Sequence, residues 1–323
     1  MSDAILLTNT DFQPLRTELA NMDGALDAVE AAVVAQHKNV VRTGRLVDRV
    51  PGEFEGIRVS LLAGDGLYSG MRIFGNPPHT RAFMLFDGTT RAILALIDYG
   101  VLNSLRVGAI AGVAARHLAP QGARVLGLIG SGWQARTQVA AMRRAVPSLE
   151  RIRVFSPTAS HREAFAVEMT AWLGIPVEPV ASAEEAMRDA DMVDLCAPGH
   201  FDVREPLFEP SSVKPGALVV SMAPNQYTAD FLRATRLVTD WTSLTQPEAR
   251  PPFEELINGG ELKQEHVMPL GAVIVDGANP RRTADETVVY HLEGGTTHDL
   301  FVASWGYDWA RAHGLGVPFD LSA

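Results

Sequence analysis

The sequence predicts an α/β protein: a Rossmann doubly wound parallel sheet plus a second α+β domain whose mixed or antiparallel sheet is formed from both chain ends. Three observations carry this. The chain has 323 residues, more than one hydrophobic core usually spans. A buried strand, a Gly-rich turn and a helix follow one another from Arg124 to Ala145, and strand–helix alternation continues beyond them, the pattern of a parallel sheet. Before that, residues 57 to 97 hold four short apolar runs separated by Gly, Pro and Asp, which read as strands joined by turns.

In chain order, an opening strand at Ile5-Leu6-Leu7 precedes an amphipathic helix with apolar residues at Met22, Leu26, Val29, Ala32 and Val33. Strands are expected at Ile57–Leu62, Met71–Phe74, Arg81–Phe86 and Ala92–Ile97. Asn103 is read as the cap of a long bridging helix that runs to His117. The second half alternates. Strands are expected at Arg124–Ile129, Arg151–Phe155, Pro176–Val180, Met192–Cys196, Ala217–Ser221 and Leu237–Asp240, with helices at about Gln134–Ala145, Ser160–Leu173 and Ala183–Arg188. A last helix, Asp299–Arg311, is expected in the tail. The division that follows is a substrate and dimerisation domain from residues 1–112 and 295–323, and a dinucleotide-binding domain from residues 113–294.

Composition narrows the function. A formal charge of −10 opposes nucleic-acid binding, which draws its affinity from Lys and Arg on phosphates. Apolar residues make up 46% and charged residues 20%, as in soluble globular chains, and no apolar run approaches the ~20 residues of a membrane span. The N-terminus Met1-Ser2-Asp3-Ala4-Ile5 lacks a basic leader, so the cytoplasm is the expected compartment. Cys196 is the only cysteine, which leaves no internal disulfide and no thiolate metal site; its setting at a strand end reads as core.

Gly130-Ser131-Gly132-Trp133-Gln134-Ala135 fits G-x-G-x-x-G/A between a strand and a helix. There the first Gly allows the tight turn, the second lets backbone approach a pyrophosphate, and the third small residue lets helix and strand pack closely. NAD binders usually carry an acid at the end of the second strand. Here that position reads Phe155-Ser156-Pro157-Thr158, with Arg162 close behind. Hydroxyls and an Arg suit a 2′-phosphate, so NADP(H) is favoured, with NAD(H) the alternative. The expected cofactor set is Gly130, Ser131, Gly132, Trp133, Gln134, Ala135, Ser156, Thr158 and Arg162, together with Ala197 and Met222 at the ends of later strands.

These motifs resemble the ornithine cyclodeaminase and mu-crystallin family. Leu102-Asn103-Ser104-Leu105-Arg106-Val107-Gly108-Ala109 resembles its L-T-x-x-R-T-A-A, and Val125 to Gln138 resembles its V-L-G-I-I-G-x-G-x-Q-A-x-x-Q. Val213-Lys214-Pro215-Gly216-Ala217 and, more weakly, Leu67 to Phe74 are similar to two further blocks. The resemblance implies that a substrate carboxylate is held by Arg106, by Arg72 where the family has Lys, and by Arg45, with Arg42 or Arg49 as alternatives for the last. It also implies a homodimer and a small amino-acid or imino-acid substrate.

Arg72 and Arg106 are the expected catalytic residues, although Arg stays charged and cannot supply a proton as Lys can. His79 and His298 are the candidates for that proton. The family's cyclodeaminases carry an Asp just after the strand read here as Ala217–Ser221, whereas this chain runs Ser221-Met222-Ala223-Pro224-Asn225-Gln226-Tyr227. The resemblance therefore implies an NAD(P)H-dependent reductase of a ketimine or cyclic imine, or the reverse amino-acid dehydrogenase. Its alternatives are a cyclodeaminase-type lyase with recycled NAD and a dinucleotide-dependent, crystallin-like ligand-binding protein.

Overall fold

The structure is a computed structural model and describes residues 4–47, 58–63, 67–75, 81–197, 210–221, 228–240, 253–292 and 296–320. The chain divides into two compact units, Met1–Val107 with Gly295–Ala323, and Gly108–Gly294.

The first unit is built on a seven-stranded mixed sheet in the order Val317–Pro318, Ile5–Leu7, Ile93–Asp98, Arg81–Asp87, Tyr68–Phe74, Arg58–Ala63, Arg42–Val47. Ile5–Leu7 pairs parallel to Ile93–Asp98, and every other pairing is antiparallel. Both chain ends thus enter one sheet, as the sequence predicts. The helix Met22–His37 packs against the tail helix Thr296–Ala312. Gly24 makes this close, since a Cβ there would come within 2.5 Å of the Trp305 indole.

The second unit carries eight parallel strands in the order Val267–Pro269, Arg236–Thr239, Val288–His291, Leu218–Ser221, Met192–Leu195, Val125–Ile129, Arg151–Phe155, Val177–Pro179. The order reverses at Val125–Ile129, the position from which such sheets bind ligands. Two strands, Val267–Pro269 and Val288–His291, and the helix Leu270–Asp276 were not expected from the sequence. Val288–His291 is wholly buried between two parallel neighbours, and a four-residue segment of that kind has no alternating pattern to betray it.

The bridging helix is Gly100–Leu118, so it begins before Asn103. Its first turn is held by side chains distant in sequence or outside the helix: Gly100 N–H donates to Asp98 Oδ1 at 3.3 Å and Val101 N–H donates to Asn9 Oδ1 at 2.7 Å. Asn103 is therefore not the cap and its side chain is available for another role. The tail helix starts at Thr296, which places His298 in a first helical turn and not in a loop.

Candidate functional site

In the first unit, three elements bring together a buried charged cluster. Arg72 lies on the strand Tyr68–Phe74, Asn103 and Arg106 one turn apart on the bridging helix, and Asp299 in the first turn of the tail helix. The spacing of three puts Asn103 and Arg106 on one helix face. Arg72 Nη1 is 2.5 Å from Asp299 Oδ2, and Arg106 Nε is 3.0 Å from Asp299 Oδ1. Asn103 Oδ1 accepts from Arg72 Nη2 at 3.0 Å and from Arg106 Nη2 at 2.8 Å. One carboxylate and one amide oxygen thus fix two guanidiniums. The Asp299 side chain is fully buried and the arginine side chains are 11% and 7% exposed.

Tyr99, also buried, donates its hydroxyl to the Asp299 carbonyl at 3.1 Å. Burial, with the Asp299 charge beside it, holds that phenol well above its usual range, so it remains a donor. Arg72 also stacks over Phe74 and Tyr99, with ring centroids 5.3 and 5.6 Å away. Asn103, Asp299 and Tyr99 carried no site expectation from the sequence. The nearest sequence signal was the neighbouring Asn103 and Arg106 in one motif; Asp299 had none, because it meets Arg72 across 227 positions.

The other substrate candidates fare differently. Arg45 lies on the strand Arg42–Val47, but its side chain is outside the described part of the chain. Arg42 is exposed on that edge strand. Arg49, His79, Met222 and the segment that lacks the acidic residue lie outside the described residues. His298 is fully buried beside Asp299.

The Gly turn of the second unit has the geometry the motif demands. Gly130 has φ +117°, and a Cβ there would lie 2.5 Å from the Cys196 carbonyl. Only glycine fits. Gly132 is the N-cap of the helix Trp133–Ala145, no side chain of the described residues caps that helix, and a Cβ on Gly132 would meet nothing within 4 Å. A helix start without a side-chain cap is where backbone N–H groups can meet an anion, and Gln134 Oε1 is buried with no hydrogen-bond partner among the described residues. Ala135 is buried against the sheet and Trp133 is half exposed. This arrangement fits a dinucleotide pyrophosphate.

At the end of the neighbouring strand, Ser131 Oγ and Ser156 Oγ are 2.8 Å apart. Arg162 donates to the Ser156 carbonyl at 3.0 Å and lies over Phe155, 5.9 Å from its centroid. Thr158 is the N-cap position of the helix Ala159–Leu173, without a side-chain cap. Ala197 follows Cys196, whose amide donates to Ile129 O at 2.9 Å. Burial pushes the Cys196 thiol up, which keeps it protonated and inert, as the core reading expected.

Two buried titratable groups were not anticipated. Asp194 sits within the parallel sheet, and burial pushes its carboxyl up to about 8. The Gln138 amide nitrogen, turned toward it, reaches both carboxylate oxygens at 2.7 and 2.9 Å; these donors favour the charged form and pull the value back. His291 stacks on Phe253 at 4.6 Å, and burial drives it down to about 3.

A parallel doubly wound sheet with this turn in one unit, and an α+β fold with a buried arginine cluster in the other, define a two-unit Rossmann protein. Residues 66–314 match the model of the ornithine cyclodeaminase/mu-crystallin family, and the chain belongs to that family. A Δ(1)-pyrroline-2-carboxylate reductase of Bacillus cereus is 28% identical over 247 residues, 74% of this chain and 73% of that one. Among solved structures, the iminosuccinate reductase of Paracoccus denitrificans in complex with NAD+ superposes with a TM-score of 0.85 at 22% identity, over 98% of this chain and 99% of that one. An archaeal alanine dehydrogenase dimer with bound NAD gives 0.84 at 23% identity, over 98% and 99%.

Proposed function

We propose that the protein is an NAD(P)H-dependent reductase of an imino acid, or in reverse an amino-acid dehydrogenase. The observation that carries this reading is the buried clamp in which Asp299 and Asn103 hold Arg72 and Arg106. Guanidiniums fixed in this way are pre-organised to take a substrate carboxylate with paired N–H donors. The relatives named above, reductases of imino acids and an amino-acid dehydrogenase, support it.

When bound at the Gly130 to Ala135 turn, the dinucleotide supplies the hydride that adds to the C=N carbon and leaves as its oxidised form. A proton goes to the nitrogen, so that one imine, one hydride and one proton give one amine. Arg72 and Arg106 bind and orient the acid. They do not deliver the proton, because a guanidinium stays charged; another group or water does. The absence of an acid between Ser221 and Asp230 supports reduction over cyclodeamination. In the described part, Asp230 itself is exposed and paired with Arg233.

For the cofactor we favour NADP(H): no acid ends the strand Arg151–Phe155, and Arg162 is anchored at that end. We further propose a homodimer, which the dimeric state of the archaeal relative supports; light scattering on the purified protein tests it.

The deciding experiment follows nicotinamide absorbance with pyrroline-2-carboxylate, piperideine-2-carboxylate and 2-oxo acids plus ammonia. Stoichiometric oxidation of NADPH establishes the reductase. Conversion of a diamino acid without net cofactor use would instead establish a cyclodeaminase, and cofactor binding with no turnover of any kind would favour the ligand-binding reading.

A further inference from the structure

A third arginine lies beside the clamp and is not engaged by it. Arg81 opens the strand Arg81–Asp87, where it is the cross-strand partner of Phe74. Partners across a ladder share a sheet face, so Arg81 faces the same side as Phe74 and as Arg72 two residues earlier. The two guanidiniums lie against the same Phe74 ring, at 5.3 Å for Arg72 and 5.7 Å for Arg81.

Arg72 and Arg106 are occupied by Asp299 and Asn103. Arg81 is not: among the described residues its side chain has no carboxylate within ion-pair distance, and its Nε is buried without a hydrogen-bond partner. Burial, followed by the charges of Arg72 and Arg106, lowers its pKa. The Asp98 carboxylate opposes this shift from beyond ion-pair distance and also accepts from the Gly100 amide.

Among the described residues, Asp299 is the one carboxylate in ion-pair contact with these three guanidiniums, and it pairs with Arg72 and Arg106, so Arg81 has no ion-pair partner, with Asp98 acting on it only from farther away. A monocarboxylic substrate lying on Arg72 and Arg106 leaves Arg81 without an ion-pair partner. We infer that the site selects a short dicarboxylic imino or amino acid, whose first carboxylate lies on Arg72 and Arg106 and whose second lies on Arg81. The inference rests on the reductase reading for its chemistry, and the step is the same reduction of C=N by one hydride and one proton. For binding it does not depend on that reading: Arg81 is a specificity residue whether or not the ligand is reduced.

The test therefore has two readouts. Equilibrium binding of succinate and of butyrate to the whole protein is measured by calorimetry for the wild type, Arg81→Gln and Arg81→Lys. Turnover of oxaloacetate plus ammonia is compared with that of pyruvate plus ammonia. Succinate is expected to bind more tightly than butyrate, and Arg81→Gln to lower the dicarboxylate-to-monocarboxylate ratio of affinity and of kcat/KM by about tenfold to a hundredfold, the range of a charge-assisted contact. Arg81→Lys is expected to restore part of that ratio. Equal affinity for the two acids, or a ratio unchanged in Arg81→Gln, overturns the inference. If no imine is reduced while succinate binding still depends on Arg81, the reductase reading fails and the selectivity stands; if monocarboxylic imines alone are reduced, the reverse holds.

Discussion

Asp299 offers the sharpest test of the cluster. Replacing it by Asn keeps the side-chain volume and removes the charge. The amide has one acceptor oxygen where the carboxylate has two, so it can satisfy Arg72 or Arg106, while its NH2 faces the other guanidinium. Because the Asp299 side chain is fully buried and the arginines are nearly so, the charge left behind is poorly hydrated, and breaking such a pair costs about 3–5 kcal/mol. With two units in the chain a single unfolding free energy is ill-defined, so the readout is local. Amide hydrogen exchange in the tail helix Thr296–Ala312 should accelerate by about two to three orders of magnitude, since each 1.4 kcal/mol is about tenfold. Acetate or another small carboxylate should slow the exchange again in the variant more than in the wild type, because it supplies the missing anion. The control is Asp308→Asn on the same helix, where an exposed carboxylate accepts, among the described residues, only from the Tyr68 hydroxyl at 2.7 Å; it should stay within about threefold of wild type. Exchange in Asp299→Asn that matches the control would refute the claim that this carboxylate holds the clamp.

Other expectations follow from the two units separately. Gly132→Ala should fold normally, since its Cβ meets nothing, yet weaken dinucleotide binding about tenfold by filling the approach to the backbone; fluorescence titration checks this, and unchanged affinity would place the pyrophosphate elsewhere. Gly130→Ala should instead destabilise the second unit by about 1–3 kcal/mol or more, because a positive φ and a collision with the Cys196 carbonyl coincide there, and a melting transition of that unit equal to wild type would contradict it. Arg162→Ala should raise the Kd for NADPH about tenfold or more while that for NADH shifts much less; a parallel change in both would make Arg162 purely structural. His291 is neutral when folded, down at about 3 against 6.5, so the unfolded chain binds more protons between those values. This contribution to the second unit's stability is therefore fully present well above pH 6.5 and falls as the pH drops through it, by about 2 kcal/mol at pH 5. His291→Asn should flatten the change in urea midpoint between pH 7 and 5, and an unaltered slope would show that another group governs it.

What the sequence disclosed and what it hid divide along the range of the interactions. The Gly turn was legible residue by residue because its constraints are local: the φ of Gly130, the open N-cap at Gly132 and the packing of Ala135 all act within one strand–turn–helix. The short apolar runs were legible as strands for the same reason, with boundaries shifted by a residue or a few. Arg72 and Arg106 were legible only through a resemblance, since an isolated Arg in a strand or helix has many ordinary uses. Asn103 was misread because its local signal is real: it is a good capping residue near a helix start. The start is moved to Gly100 by Asn9 and Asp98, whose hydrogen bonds no helix-start pattern encodes.

Once freed from capping, Asn103 serves two arginines at once, and the same logic explains Asp299, Tyr99 and Arg81. Each acquires its meaning from a partner on a different element. Asp299 and Tyr99 are 200 positions apart when they meet, and Arg81 joins Arg72 only through the register that sets it opposite Phe74. A residue that binds substrate is chosen by its chemistry and leaves a trace in a motif, whereas a residue that holds the binder in place is chosen by geometry that exists only after folding. The parts of this site that a motif cannot show are therefore the parts that decide its net charge, and with it the class of acid it accepts.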